Sequence, residues 1–182
     1  MIDYLTVMLI NMSAGLTALA CFVLKGLRTE REAHWAGVFA MTGLVAFVAG
    51  LHMTLTWPLP GDYSVAFGEP ALLYGIIFLG IACALWKRWT ITPVAVYSVF
   101  AGAAAVLVGA RIMTLHMTNS PVLAGLGFIT TGVSAILLLP VVVRQKPGAL
   151  DKIMAVLLCL AAAVWAFIGW GAYWMHLKTF GK

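Results

Sequence analysis

Six apolar runs of about 20 residues each, separated by short polar breaks, dominate this sequence, and a run of that length crosses the hydrocarbon core of a bilayer as one helix. Backbone amides in lipid find no water, so each run must satisfy its own hydrogen bonds, which selects helix over an open strand. The spans are predicted at about residues 4–25, 35–57, 71–86, 92–117, 122–143 and 153–177. Composition agrees, since 63% hydrophobic and 9% charged residues leave too little polar surface to cover a water-soluble globule. The expected fold is all-α: a six-helix transmembrane bundle forming one integral membrane domain over residues 1–182. No stretch remains for a soluble catalytic domain, so any chemistry belongs to the helices or their short connections.

Charge sets the expected orientation. Eight of the eleven basic residues fall at three connections: Lys25, Arg28 and Arg31, then Lys87 and Arg88, then Arg144, Lys146 and Lys152. By the positive-inside rule these connections face the cytoplasm, so both termini and the connections around 58–70 and 118–121 lie on the outer face of a plasma membrane. Asp3, with no Lys or Arg before the first apolar run, argues against a cleaved secretory signal, so that run is expected to stay as a helix. The formal charge of +5 is then mostly a topological signal and not a nucleic-acid footprint. Cys21, Cys83 and Cys159 show no two-cysteine metal spacing and read as small packing residues.

The spans group as three hairpins of roughly 60 residues, each an inbound helix followed by an outbound helix that ends in histidine. Leu51-His52-Met53-Thr54 recurs as Leu115-His116-Met117-Thr118, and the sixth span closes on Trp174-Met175-His176-Leu177. Val38-Phe39-Ala40 likewise recurs as Val99-Phe100-Ala101. Apolar alphabets produce such echoes by chance, so the triplication is no more than suggestive. Gly102, Ala103, Ala105 and Gly109 on the fourth span, with Gly125 and Gly132 on the fifth, are expected to let helices approach closely. Trp57, Tyr63, Tyr74, Trp170, Tyr173 and Trp174 are expected to form an outer interfacial belt.

The histidines carry the candidate site. His52, His116 and His176 all fall near outer helix ends, with Glu69 just before the third span and Arg111 inside the fourth. A charge within a span is costly and normally has a partner, for which Glu69 is the natural choice for Arg111 and Asp62 the second; the alternative is that Arg111 snorkels to the outer headgroups from near its helix end. Three imidazoles and a carboxylate suit copper, iron or zinc, and leave a coordination position for water or substrate. Metal ligands are therefore expected at His52, His116, His176 and Glu69, with Arg111 and Tyr173 as further cofactor contacts, around a transition metal ion or haem. Met53, Met117 and Met175 sit beside the histidines, but adjacent helical residues diverge by about 100° and do not share an ion readily. The same groups would serve as a hydrogen-bonded cluster lining a vestibule, or as interface chemistry alone. Asn11 is expected to add a polar group to the cavity, and Ser13 to pack against a helix.

The stretches Gly50-Leu51-His52-Met53-Thr54-Leu55-Thr56-Trp57-Pro58-Leu59-Pro60, Phe67-Gly68-Glu69-Pro70-Ala71-Leu72-Leu73-Tyr74-Gly75 and Ala172-Tyr173-Trp174-Met175-His176-Leu177 resemble a family of uncharacterised prokaryotic membrane proteins, a domain of unknown function. The resemblance spans essentially the whole chain and implies a small polytopic protein without an assigned activity. In topology alone the layout is similar to the proton-gated urea and amide channels. Three functions are thus expected in turn: a metal or haem site with a redox or hydrolytic role; a pH-gated channel or transporter for small solutes; and an accessory subunit of a respiratory membrane complex. The partners foreseen are the lipid bilayer, a homo-oligomer or larger membrane complex, and a small-molecule substrate of unknown kind.

Overall fold

The computed structural model describes residues 4–144 and 146–178, so Asp3 and both chain ends lie outside the described residues. Six long helices form: α1 (Tyr4–Cys21), α2 (Ala36–Thr56), α3 (Glu69–Lys87), α4 (Thr92–Leu115), α5 (Pro121–Val143) and α6 (Ala149–Lys178). Each belongs to a segment long and apolar enough to span a membrane, and no strand occurs among the described residues. Wider turns extend α1 through Phe22–Gly26 and lead into α3 through Ser64–Gly68, and a tight turn at Glu32–Trp35 opens α2.

Proline starts three of the helices, where its missing N–H is one that the first turn leaves unpaired anyway. Trp57, Arg88 and His116 end α2, α3 and α4 in the left-handed conformation, with φ of 49°, 55° and 51°. α6 begins at Ala149, four residues before its expected start at about 153, because the Asp151 carboxylate accepts the Gly148 N–H at 2.8 Å and caps the first turn.

The helices form a ring in chain order, each antiparallel to its neighbours, closed by α6 packing on α1. The tightest pairs are α4 with α5, α2 with α3, and α1 with α6. The first two pairs are joined at the histidine end, so they regroup the hairpins expected from the sequence: α2 and α4 pack most closely on the helices that follow them. Glycine explains the contact. A Cβ at Gly102 would lie 2.5 Å from the Gly132 carbonyl, and one at Gly109 would lie 2.8 Å from that of Gly125. Between α2 and α3, a Cβ at Gly50 or Gly75 would strike the facing backbone. Ser13 donates to Ala162 O at 2.8 Å and ties α1 to α6, as expected of a packing residue.

Two aromatic clusters fill the middle. Phe22, Phe39 and Phe78 follow one another at 5.6 and 6.0 Å in the half nearer the basic end, and Phe67, Phe128 and Trp165 at 5.5 and 4.9 Å nearer the histidine end. Phe39 is fully buried whereas Phe100 is 74% exposed, so the two Val-Phe-Ala segments do not occupy equivalent places. Cys83 and Cys159 stand on the bundle's outer surface and not in its packing, and Cys21 is half-buried.

Candidate functional site

All five expected members of the histidine-end cluster are exposed, and so is Tyr173. His52 lies within α2, five residues before the left-handed residue Trp57, whereas His116 is itself the left-handed residue that ends α4. The two copies of Leu-His-Met-Thr thus fall in different registers, and the residue of α4 equivalent to His52 is Arg111. At 1.5 Å per residue the two histidines differ in depth by about 7 Å. Glu69 is the first residue of α3, and His176 lies in the last turn of α6.

The ring order explains why shared placement does not become a shared site. α2, α4 and α6 alternate with α3, α5 and α1, so an inbound helix stands between each pair of histidine-bearing helices. Among the described residues, no group of three or more His, Cys, Asp or Glu side chains is placed to hold a metal ion. The expected Arg111–Glu69 ion pair is not made either: Arg28–Asp151 is the only ion pair among the described residues. The Thr56–His52 pairing is present, with the Thr56 hydroxyl 2.8 Å from His52 O and 3.4 Å from His52 Nε2. Asn11 does not reach the cavity; its side chain donates to Thr42 O at 2.8 Å and ties α1 to α2.

A different set of residues builds the cavity at this end. A vestibule of about 630 Å³ lies between α1, α5, α6 and the 63–67 segment. Leu5 and Leu9 form its α1 wall, Leu123 and Ala124 its α5 wall, and Phe167, Gly171 and Met175 its α6 wall. Phe167 and Met175 are 71% and 67% exposed, so this wall gives the vestibule an opening on the bundle's flank. Polar groups gather at the Thr118-Asn119-Ser120 connection. Tyr63 crosses to this connection and donates its hydroxyl to Met117 O. Ser120 precedes α5 without a side-chain cap bond. The Thr118 hydroxyl is the one buried side-chain polar atom without a hydrogen-bond partner among the described residues.

The vestibule narrows inward past Leu9, Phe67 and Trp165 to a cavity of about 40 Å³, lined also by Met8, Met12 and Tyr74. A hydrogen-bonded knot forms its floor. Tyr74 donates to Thr131 O at 3.1 Å, Trp165 Nε1 to the Thr131 hydroxyl at 2.9 Å, and that hydroxyl to Gly127 O at 2.7 Å. Tyr74 is therefore a central residue, not part of an interfacial belt: it is 3% exposed. Toward the basic end Thr17, Thr42 and Ser134 donate back to their own helices, at Ser13 O, Val38 O and Thr130 O, whereas the Ser98 hydroxyl of α4 also reaches Ala135 O of α5 at 2.8 Å.

Sequence reasoning missed Thr118, Thr131 and Trp165, and it treated Arg28 only as a topology marker. At the basic end, Arg28 donates to Asp151 Oδ1 at 2.7 Å, to Arg144 O at 2.9 Å and to Val141 O. It closes the end of α5 onto the start of α6. One signal was available: Asp151 is the only acidic residue after Glu69 and stands just before the expected start of the last span, where a carboxylate drawn toward the membrane needs a cation.

Fold and spans together define a multi-pass membrane protein built as a closed ring of six apolar helices. Within that class the chain belongs to the family described as "Protein of unknown function (DUF981)", whose model matches residues 1–179. No curated protein and no solved structure matches the chain.

Proposed function

We propose that this protein binds a small amphipathic molecule in the vestibule at the histidine end, with the basic end toward the cytoplasm and the vestibule opening to the outer half of the plasma membrane. The observation that carries the reading is the vestibule itself: about 630 Å³, apolar along its length, polar at one end and open on its flank. That volume is typical of a site for a drug-sized molecule, and the lining pattern is that of a ligand pocket with a few orienting polar groups. A tail leaving beside Phe167 and Met175 would stay in lipid while the head met the 118–120 connection.

The metal or haem reading rests on residue type and on placement at one end of the bundle. The vestibule is the better supported of the two, because no group of three or more His, Cys, Asp or Glu side chains among the described residues is placed to hold a metal ion. A pH-gated solute channel would require a polar path below the Tyr74–Thr131–Trp165 knot, where the hydroxyls of Thr17, Thr42, Ser98 and Ser134 are instead engaged with backbone carbonyls. No feature of the described residues favours the accessory-subunit reading.

The test uses Gly171, which lines the vestibule and at which an added Cβ would meet nothing within 4 Å. Gly171→Trp sets an indole on the vestibule wall at a position where the Cβ itself meets no neighbour. Gly37→Trp, equally unobstructed and near the basic end, is the control. Wild type and Gly37→Trp are expected to retain about one amphipathic molecule per chain through detergent purification, measured by mass spectrometry of extracts, and Gly171→Trp to lose it. Equal retention by all three, or by none, would overturn the reading.

A further inference from the structure

We infer that the flank of the ring formed by α3 and α4 is a self-association surface, on which two copies of this chain join about a two-fold axis along the membrane normal through reciprocal Glu69–Arg111 ion pairs. This flank lies across the ring from α6, where the vestibule opens beside Phe167 and Met175, so a dimer leaves that opening free.

Two opposite charges stand without partners inside the spans. Glu69 is the sixth residue of the apolar segment Ser64–Lys87, and Arg111 is the fifth from the end of the segment Thr92–Leu115. At 1.5 Å per residue both lie about 6–8 Å inside the histidine end of their segments. Both residues are exposed, and neither the carboxylate nor the guanidinium has an ion pair or hydrogen bond among the described residues. A charge at this depth on a lipid-facing helix is costly unless a counter-charge meets it. Arg111 is long enough to snorkel to the headgroups, whereas the Glu69 side chain is short and the phosphate layer above it is negative. A counter-charge brought by protein satisfies both.

The helical register puts the two charges on one flank. α3 meets α4 near the basic end, where a Cβ on Gly80 would lie 3.1 Å from Val94, and this is the loosest contact between ring neighbours. Glu69 precedes Gly80 by eleven residues, three turns, so it shares the α4 side of α3 to within about 20°. On α4, Gly102 and Gly109 face α5. Arg111 lies about 160–180° around the helix from them, in line with Phe100 and Leu107, both exposed. Toward the basic end the same two stripes are apolar: Leu73 and Ile76 on α3, and Leu107, Ala104 and Phe100 on α4. The small Ala104 lets a second helix approach closely.

Symmetry then selects the partner. Rotation about an axis along the membrane normal leaves every residue at its own depth, so only groups of equal depth pair across it. Glu69 and Arg111 meet that condition. An isologous contact is made twice, with Glu69 of each chain on Arg111 of the other, so two chains satisfy all four charges and the assembly closes.

The experiment counts chains per particle by single-molecule photobleaching of the labelled full chain in dilute phosphatidylcholine vesicles, and captures one tagged copy through another after co-expression. Wild type is expected to give two chains. Glu69→Arg and Arg111→Glu, each expressed alone, set like charges against each other at both contacts and should weaken the dimer about 10-fold or more. Co-expressed with different tags, the two variants should capture each other as efficiently as wild type does, because one chain then presents two positive charges and the other two negative ones. Should a reversal fail to fold, as read by thermal unfolding in mild detergent, Glu69→Gln and Arg111→Gln take its place and should each weaken the dimer by a smaller factor. A wild type that is monomeric, or that holds more than two chains, overturns the assignment. So does a dimer indifferent to every one of these variants, which would leave Arg111 to lipid headgroups. Recovery only when both reversals share one chain, and not when the two variants are mixed, would mean that the pair closes within the chain and would overturn it as well.

Discussion

Replacing Arg28 by methionine tests whether the basic end is held by one residue. Arg28 sits at φ 66°, in the left-handed region that a residue with a side chain occupies at some cost, and its guanidinium spans Asp151, Arg144 O and Val141 O. The Asp151 side chain is 5% exposed and that of Arg28 17%. Arg28→Met leaves a buried carboxylate without its cation, a change that typically costs about 3–5 kcal/mol, and strips two helix-end carbonyls of a donor at about 0.5–1.5 kcal/mol each. Asp151 keeps the Gly148 N–H at 2.8 Å, and the cluster lies at helix ends within reach of water. Those two offsets place the expected net loss near 3 kcal/mol, or about 6–12 °C in Tm for a chain of this size. The double variant Arg28→Met/Asp151→Asn removes the stranded charge and should recover about half of the loss. Arg28→Lys, a point charge without the planar fork, should fall between wild type and Arg28→Met. The assay is thermal and denaturant unfolding in mild detergent, followed by near-ultraviolet circular dichroism. An Arg28→Met protein within about 0.5 kcal/mol of wild type, or a double variant no better than the single, would refute the assignment of the loss to a stranded charge.

Three further outcomes follow from geometry already described. Gly102→Leu drives a side chain into the Gly132 backbone and should cost about 1–3 kcal/mol or separate α4 from α5, read by unfolding in detergent; an unchanged Tm would contradict that contact. His116→Gly relieves a left-handed residue at the end of α4 and should hold or raise stability by about 0.5–1 kcal/mol. A drop of comparable size, or the loss of a stoichiometric metal from the purified protein, would instead favour the metal reading of that histidine. For orientation, a cysteine placed at Gly61 in a background lacking Cys21, Cys83 and Cys159 should react with a membrane-impermeant maleimide in intact cells, and one at Trp89 only after permeabilisation; the reverse pattern would invert the topology.

The spans were legible because lipid imposes length and hydropathy on a helix directly, and the glycines of α4 and α5 announced a close contact that the structure contains. Helix starts were less legible, since Asp151-Lys152 looks like a break in hydropathy until Asp151 is seen capping the first turn of α6. The site was the least legible. Repeated Leu-His-Met-Thr drew attention to the histidines, yet one copy lies within its helix and the other ends its helix, a difference fixed by where the chain turns left-handed. Neighbour relations within a ring are not written in any one helix, so nothing local to His52, His116 or His176 says that another helix stands between them. The vestibule escaped notice because its polar groups are ordinary: a threonine, an asparagine and a serine in a five-residue connection. Only an absence marks Thr118, a missing hydrogen bond, and absences are visible only once neighbours are placed.

The closing contact between the first helix and the last has a consequence in time. Ser13 reaches Ala162 across 149 residues of chain, and at typical synthesis rates of about 5–20 residues per second α1 waits roughly 7–30 s in the bilayer before α6 emerges. During that interval the flank that α6 will cover is open to lipid. The vestibule, which α6 walls on one side, is therefore the last part of the protein to come into being.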